Sequence, residues 1–221
     1  MAIGHTSQYD YTNSGGAGST SLGYETLRYN QSGGHNTAIG YQALKGASGQ
    51  SNLYNVGVGS RAMKSVTTGD SNVAVGMDSA YALTSGHRNI MIGRNSGAAL
   101  TTQDDNVIIG YEAGNDTTGQ KAVIIGNYAG DDNSPTNAVI IGYRAGRVIN
   151  GENTVAVGYD ALKAATESDN TAVGAYALTA LVDGENNTAL GIAAGYRIDK
   201  GDNSTFLGWY AGYNATGSAN T

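Results

Sequence analysis

One short phrase recurs thirteen times in this chain. Clear copies read Asn-Thr-Ala-Ile-Gly-Tyr-Gln-Ala-Leu at 36–44 and Asn-Thr-Val-Ala-Val-Gly-Tyr-Asp-Ala-Leu at 153–162. Each copy pivots on one glycine, from Gly4, Gly23 and Gly40 through to Gly174, Gly191 and Gly208. The pivots are 16 or 17 residues apart in ten of twelve intervals and 19 apart in the other two. A short fixed period means a solenoid, in which each repeat buries its apolar side chains only against its neighbours. The fold class expected is all-β: a parallel β-solenoid of about thirteen repeats of 16–19 residues. The repeats fill residues 1–221, so a single domain with an incomplete repeat at each end is expected.

Aligned on the pivot, each position becomes a column. The residue before the glycine is always aliphatic, as in Ile39, Val75, Ile109 and Leu190. Three before it, every residue but Met1 is β-branched. These columns lie two residues apart and share one face of a strand, which β-branched residues favour. The reading places a short strand before each glycine with these two columns inward, and a second extended stretch to complete each coil. Three after the glycine the residue is always Ala, Ser or Thr, so little room is expected there. The pivot itself needs a conformation or an approach that a Cβ forbids.

The column between the two aliphatic ones carries no charge either. It holds Ala38, Ala74, Met91, Ile108, Ile124, Ile140 and Ala156, among others. Alternation turns it outward, and a strand apolar on both faces is usually covered on both. Either it is a tolerated row of small surface residues or it is a lateral subunit interface. In the second case Met91, Ile108, Ile124 and Ile140 form its driest part.

These columns resemble the head repeats of trimeric autotransporter adhesins, and equally the Asn-Thr-Ala-Ile-Gly-Tyr repeats of phage tail-fibre and related surface proteins. The resemblance implies a left-handed β-roll assembled as a trimer. It also implies a non-catalytic role in building fibres or attaching to a host-surface glycan or protein. Within residues 1–221 no heptad stalk, neck or membrane anchor is expected.

Composition narrows the function classes. The net charge of −6 argues against nucleic acid, which calls for a basic stripe. No stretch is apolar enough for membrane insertion, and a signal peptide is expected to be absent or already removed. There is no cysteine, hence no disulfide and no thiolate site. Gly57-Val-Gly-Ser-Arg-Ala62 imitates a dinucleotide fingerprint but falls on the repeat columns. Acidic residues recur before the strand, including Asp70, Asp104, Asp131 and Asp202. They form a solvated turn edge or, alternatively, a stripe that calcium bridges. Tyrosines such as Tyr24, Tyr41, Tyr143 and Tyr159 follow the pivot, as a packing ladder or a row for sugar rings. No acid/base constellation breaks the period, so neither an enzyme nor a cofactor is expected.

The chain opens in mid-phrase with Met1-Ala2-Ile3-Gly4 and stops at Asn220-Thr221. Joined end to end, two copies spell Asn-Thr-Met-Ala-Ile-Gly and keep the 17-residue period. Met1, Ala2, Ile3, Gly4, Asn220 and Thr221 are therefore the expected head-to-tail contact. The expected function is a structural protein of an extracellular, cell-surface or virion fibre that self-assembles through these ends. A segment of a longer adhesin or tail fibre is the alternative.

Overall fold

The computed structural model describes residues 1–8, 18–47, 50–132 and 134–220. Thirteen strands run in chain order: β1 (Ala2–Ile3), β2 (Thr20–Leu22), β3 (Thr37–Ile39), β4 (Val56–Val58), β5 (Val73–Val75), β6 (Ile90–Ile92), β7 (Val107–Ile109), β8 (Val123–Ile125), β9 (Val139–Ile141), β10 (Val155–Val157), β11 (Thr171–Val173), β12 (Thr188–Leu190) and β13 (Thr205–Leu207). The fold is a parallel β-solenoid, with no α-helix among the described residues. Contacts divide the chain into two compact units, Met1–Tyr111 and Glu112–Thr221. Each unit is a stack of the same coils. Register is kept by position in the repeat: Val73 pairs with Ile90, Ala74 with Met91 and Val75 with Ile92. Likewise Val139 pairs with Val155, Ile140 with Ala156 and Ile141 with Val157.

A coil holds one three-residue strand rather than two extended stretches. The return path is made of turns, touched by isolated bridges such as Asn30 with Gln50. Two residues after the pivot, and again four after it, the backbone is left-handed: Gln42 has φ +56° and Leu44 φ +50°. Such residues curl the chain while their N–H groups still reach adjacent coils. Gln42 donates to the Tyr24 carbonyl at 2.8 Å and Leu44 to the Ala62 carbonyl at 3.0 Å. Backbone groups are thus satisfied between coils without a second sheet.

The pivot glycine has a direct steric cause. Gly142 has φ +136°, and a Cβ there would lie 2.4 Å from the Gly158 carbonyl oxygen on the next coil. No other residue tolerates both the dihedral and the approach.

The structure corrects the facing of the strand columns. The middle residue of each strand points into the coil, and the two flanking residues point out. Ala38, Ala74, Met91, Ile108, Ile124, Ile140 and Ala156 are all 0% exposed, whereas Ile90 and Ile92 are each 37% exposed. Alternation holds, with its phase opposite to that expected. The physical reason lies in a column four residues after the pivot, which also points inward. Where the strand centre is small, that position is large: Ala38 with Leu44, Gly57 with Met63, Ala156 with Leu162, Ala172 with Leu178. Where the strand centre is large, that position is glycine: Met91 with Gly97, Ile140 with Gly146, Phe206 with Gly212. A Cβ on Gly97 would sit 2.9 Å from Met91 Cγ, and one on Gly146 would sit 3.1 Å from Ile140 Cδ1. The two columns share one narrow interior, and close packing makes their volumes complementary in these coils; Ala74 and Ala80 are small at both positions. Ala189 and Gly195 are both small, and the Phe206 ring and Leu178 fill the gap from adjacent coils.

A buried asparagine ladder runs beside this core. In the first unit Asn36, Asn55, Asn72, Asn89 and Asn106 occupy one column. Asn72 Nδ2 donates to the Gly86 carbonyl at 2.8 Å, and its Oδ1 accepts from the Asn89 backbone N–H at 2.9 Å. Each amide therefore closes the turn of one coil and ties it to the next. In the second unit Asn170 and Asn187 repeat the arrangement, while Ala122, Ala138 and Thr154 replace the amide in three of the 16-residue coils.

Candidate interaction surfaces

Because the strand centre faces inward, the β-branched and aliphatic columns together form an outer sheet face. In the first unit this face carries Val56 and Val58, Val73 and Val75, Ile90 and Ile92, and Val107 and Ile109 on successive strands. In the second it carries Val123 and Ile125, Val139 and Ile141, and Val155 and Val157. Neither column contains a charged residue anywhere in the chain. Side chains stand in rows about 4.8 Å apart, so the face is regular as well as apolar. Most of these side chains are half-buried and Ile90 and Ile92 are exposed, and a contiguous charge-free apolar row is a candidate contact surface.

The residues assigned to a lateral interface from sequence do not lie on this face. Met91, Ile108, Ile124 and Ile140 are wholly buried inside their own coils, where no second chain reaches them. The apolar rows on either side of them take that place. Of the residues assigned to a head-to-tail contact, Met1 is 76% and Ile3 47% exposed, Ala2 and Gly4 are exposed, and Asn220 is half-buried. Thr221 lies outside the described residues. At the far strand, Asn220 still belongs to the ladder: the Thr205 N–H donates to its carbonyl at 2.7 Å.

Aromatic residues after the pivot form ladders. His5 stacks on Tyr24 and Tyr24 on Tyr41, with centroids 5.5 and 5.4 Å apart. Tyr143 stacks on Tyr159 at 5.4 Å. The acidic turn residues are engaged across coils: Asp70 Oδ1 accepts from the Leu53 N–H and Asp104 Oδ1 from the His87 N–H, each at 2.7 Å. His87 stands between them, its Nδ1 accepting from the Asp70 N–H at 3.1 Å. Among the described residues no three His, Asp or Glu side chains gather as a metal would require. No helix among them is long and apolar enough to cross a membrane.

One feature escaped the sequence reading. The column five after the pivot holds Arg28, Lys45 and Lys64 on three consecutive coils, followed by Tyr81. Lys45 and Lys64 border a groove of about 670 Å³, lined also by Tyr29, Gly46, Thr67 and Thr84. The signal was present in the register of the repeat and needed only that column to be aligned. No known family model matches this chain, and neither the curated proteins nor the solved structures contain a match.

Proposed function

We propose that this chain is a non-catalytic structural element of an extracellular, cell-surface or virion fibre. Its outer sheet face packs laterally against copies of the same chain, and its end strands extend the ladder head to tail. The observation that carries the reading is the charge-free double row of aliphatic side chains on that face. The row repeats with the coil, so the partner whose spacing matches it best is another solenoid of the same period. Burial is worth roughly 25 cal/mol per Å² of apolar surface, which makes a long continuous row an effective contact. A threefold arrangement shields all three faces at once and leaves none in water.

Sedimentation velocity at micromolar concentration tests the lateral contact. The chain is expected as an oligomer, and Ile92→Asp is expected as a folded monomer, because Ile92 is on the surface of its own coil. Met91→Asp is expected to unfold instead, since it places a charge in the interior. A wild-type monomer overturns the lateral reading. Electron microscopy tests the head-to-tail reading separately. Open filaments support it, because a heterologous contact does not close on itself. Discrete short rods oppose it.

A further inference from the structure

We infer that the groove on the first unit binds an anionic saccharide, a sugar bearing a carboxylate or sulfate group. The chain holds only twelve Lys and Arg in all and carries a net charge of −6. Yet three cations stack in one column on consecutive coils, at Arg28, Lys45 and Lys64. Like charges about one strand spacing apart repel; Glu25 offsets this for Arg28 and Lys45, and among the described residues Lys64 is the member of the column without such a partner.

The surroundings hold the cations in place and leave one of them uncompensated. Tyr29 lies under Arg28 and Lys45, whose charged atoms are 4.9 and 5.9 Å from its ring centre. Tyr81 receives Arg61 and Lys64 at 5.6 and 5.2 Å. Buried Glu25 pairs with Arg28 and, at 2.7 Å, with Lys45. The Lys45 hydrogen bond chiefly holds the Glu25 carboxyl below its usual pKa, against the opposing effect of burial. Asp78 pairs with Arg61 at 2.5 Å. Lys64 donates to the Tyr81 hydroxyl at 3.2 Å, and no carboxylate among the described residues pairs with it. Four cations thus face two carboxylates.

The groove also shows acceptors. Thr67 Oγ1 donates to the Thr84 carbonyl at 2.9 Å, and Thr84 Oγ1 donates to the Thr101 carbonyl at 3.0 Å. Their protons are committed, so both hydroxyls offer lone pairs outward. A sulfate ion, or an internal unit of polyphosphate, has acceptors only and leaves those lone pairs unused. A sugar acid brings hydroxyl donors for the threonines and an anionic group for Lys64 and Lys45. The volume of 670 Å³ falls within the range of roughly 300–1,000 Å³ typical of small-ligand sites.

Calorimetric titration of the 221-residue chain with dextran sulfate, polygalacturonate, neutral dextran and inorganic polyphosphate tests the proposal. Both acidic polysaccharides are expected to bind, neutral dextran not to bind, and polyphosphate to bind more weakly than either. Lys64→Gln is expected to weaken acidic-polysaccharide binding about tenfold, the scale of one charged hydrogen bond. Lys121→Gln, on the other unit, is expected to leave it unchanged. No binding of either acidic polymer overturns the proposal. So does equal binding of polyphosphate, which removes the role of the hydroxyls, or full affinity in Lys64→Gln. The four wild-type titrations decide the matter even if a variant misfolds. They do not depend on lateral assembly, which sedimentation reads independently.

Discussion

Exchanging a large and a small residue between the two inward columns should preserve the core. Ile140 and Gly146 provide the test, because adjacent Ala156 and Leu162 already show the opposite arrangement. Ile140→Ala alone removes a fully buried side chain and should cost about 3–4 kcal/mol. Gly146→Leu alone forces atoms against Ile140 and Ile149, whose Cδ1 lies 2.5 Å from a Cβ placed there. Overpacking of that kind costs about 1–3 kcal/mol, and a left-handed leucine adds roughly 1 kcal/mol. Leu162 adopts the same backbone at φ +46°, so the dihedral itself is not prohibitive. Independent effects would sum to about 5–8 kcal/mol, since uncoupled sites add to within roughly 0.5 kcal/mol. The double variant should instead lose only about 1–3 kcal/mol, because the new leucine fills the space the isoleucine left. Urea unfolding followed by circular dichroism supplies the totals. Hydrogen exchange over 139–157 localises the effect, because repeat arrays need not unfold in one step. A double variant as unstable as the sum of the singles would refute the shared interior.

Asn72→Ala should cost about 2–6 kcal/mol in urea unfolding, by orphaning the Gly86 carbonyl and the Asn89 backbone N–H at about 1–3 kcal/mol each. A loss below 1 kcal/mol would mean that water replaces the amide. Gly142→Ala should lower stability by about 4 kcal/mol or more, whereas Gly208→Ala, with nothing within 4 Å of its would-be Cβ, should lose only the dihedral strain of about 1–3 kcal/mol. Comparing their urea midpoints isolates the close approach between coils. Burial, reinforced by Asp132 and Asp116, raises the Asp131 carboxyl above its ordinary 3.8. A raised carboxyl contributes stability below its unfolded value and loses it as pH climbs through the folded value. Asp131→Asn should therefore raise the urea midpoint at pH 7, and the advantage should vanish near pH 3.

Much of the architecture is legible in residue columns because a solenoid repeats its environment with its sequence. The period and the strand positions follow from the thirteen pivots and the β-branched run before each. The pivot also announces its own steric demand, which the Gly142 approach to Gly158 confirms. Period-2 alternation, however, says only that Ile90 and Ile92 oppose Met91. It does not say which of them faces in. Two hydrophobic columns on one side outweigh one on the other in any simple count, and that count pointed the wrong way.

By itself, the sequence determined the repeat length, the parallel stacking and the absence of cysteine chemistry, because these depend on spacing and composition along one chain. Only the tertiary structure decided what each column faces. The interior closes on Met91, Ile108, Ile124 and Ile140 with glycine four after each pivot, and the paired Val and Ile rows stay on the outer face. It also gathered Lys45, Lys64, Thr67 and Thr84, separated by turns and by whole coils, into one groove. Inside and outside are relations between segments, and they exist only once the coil has closed.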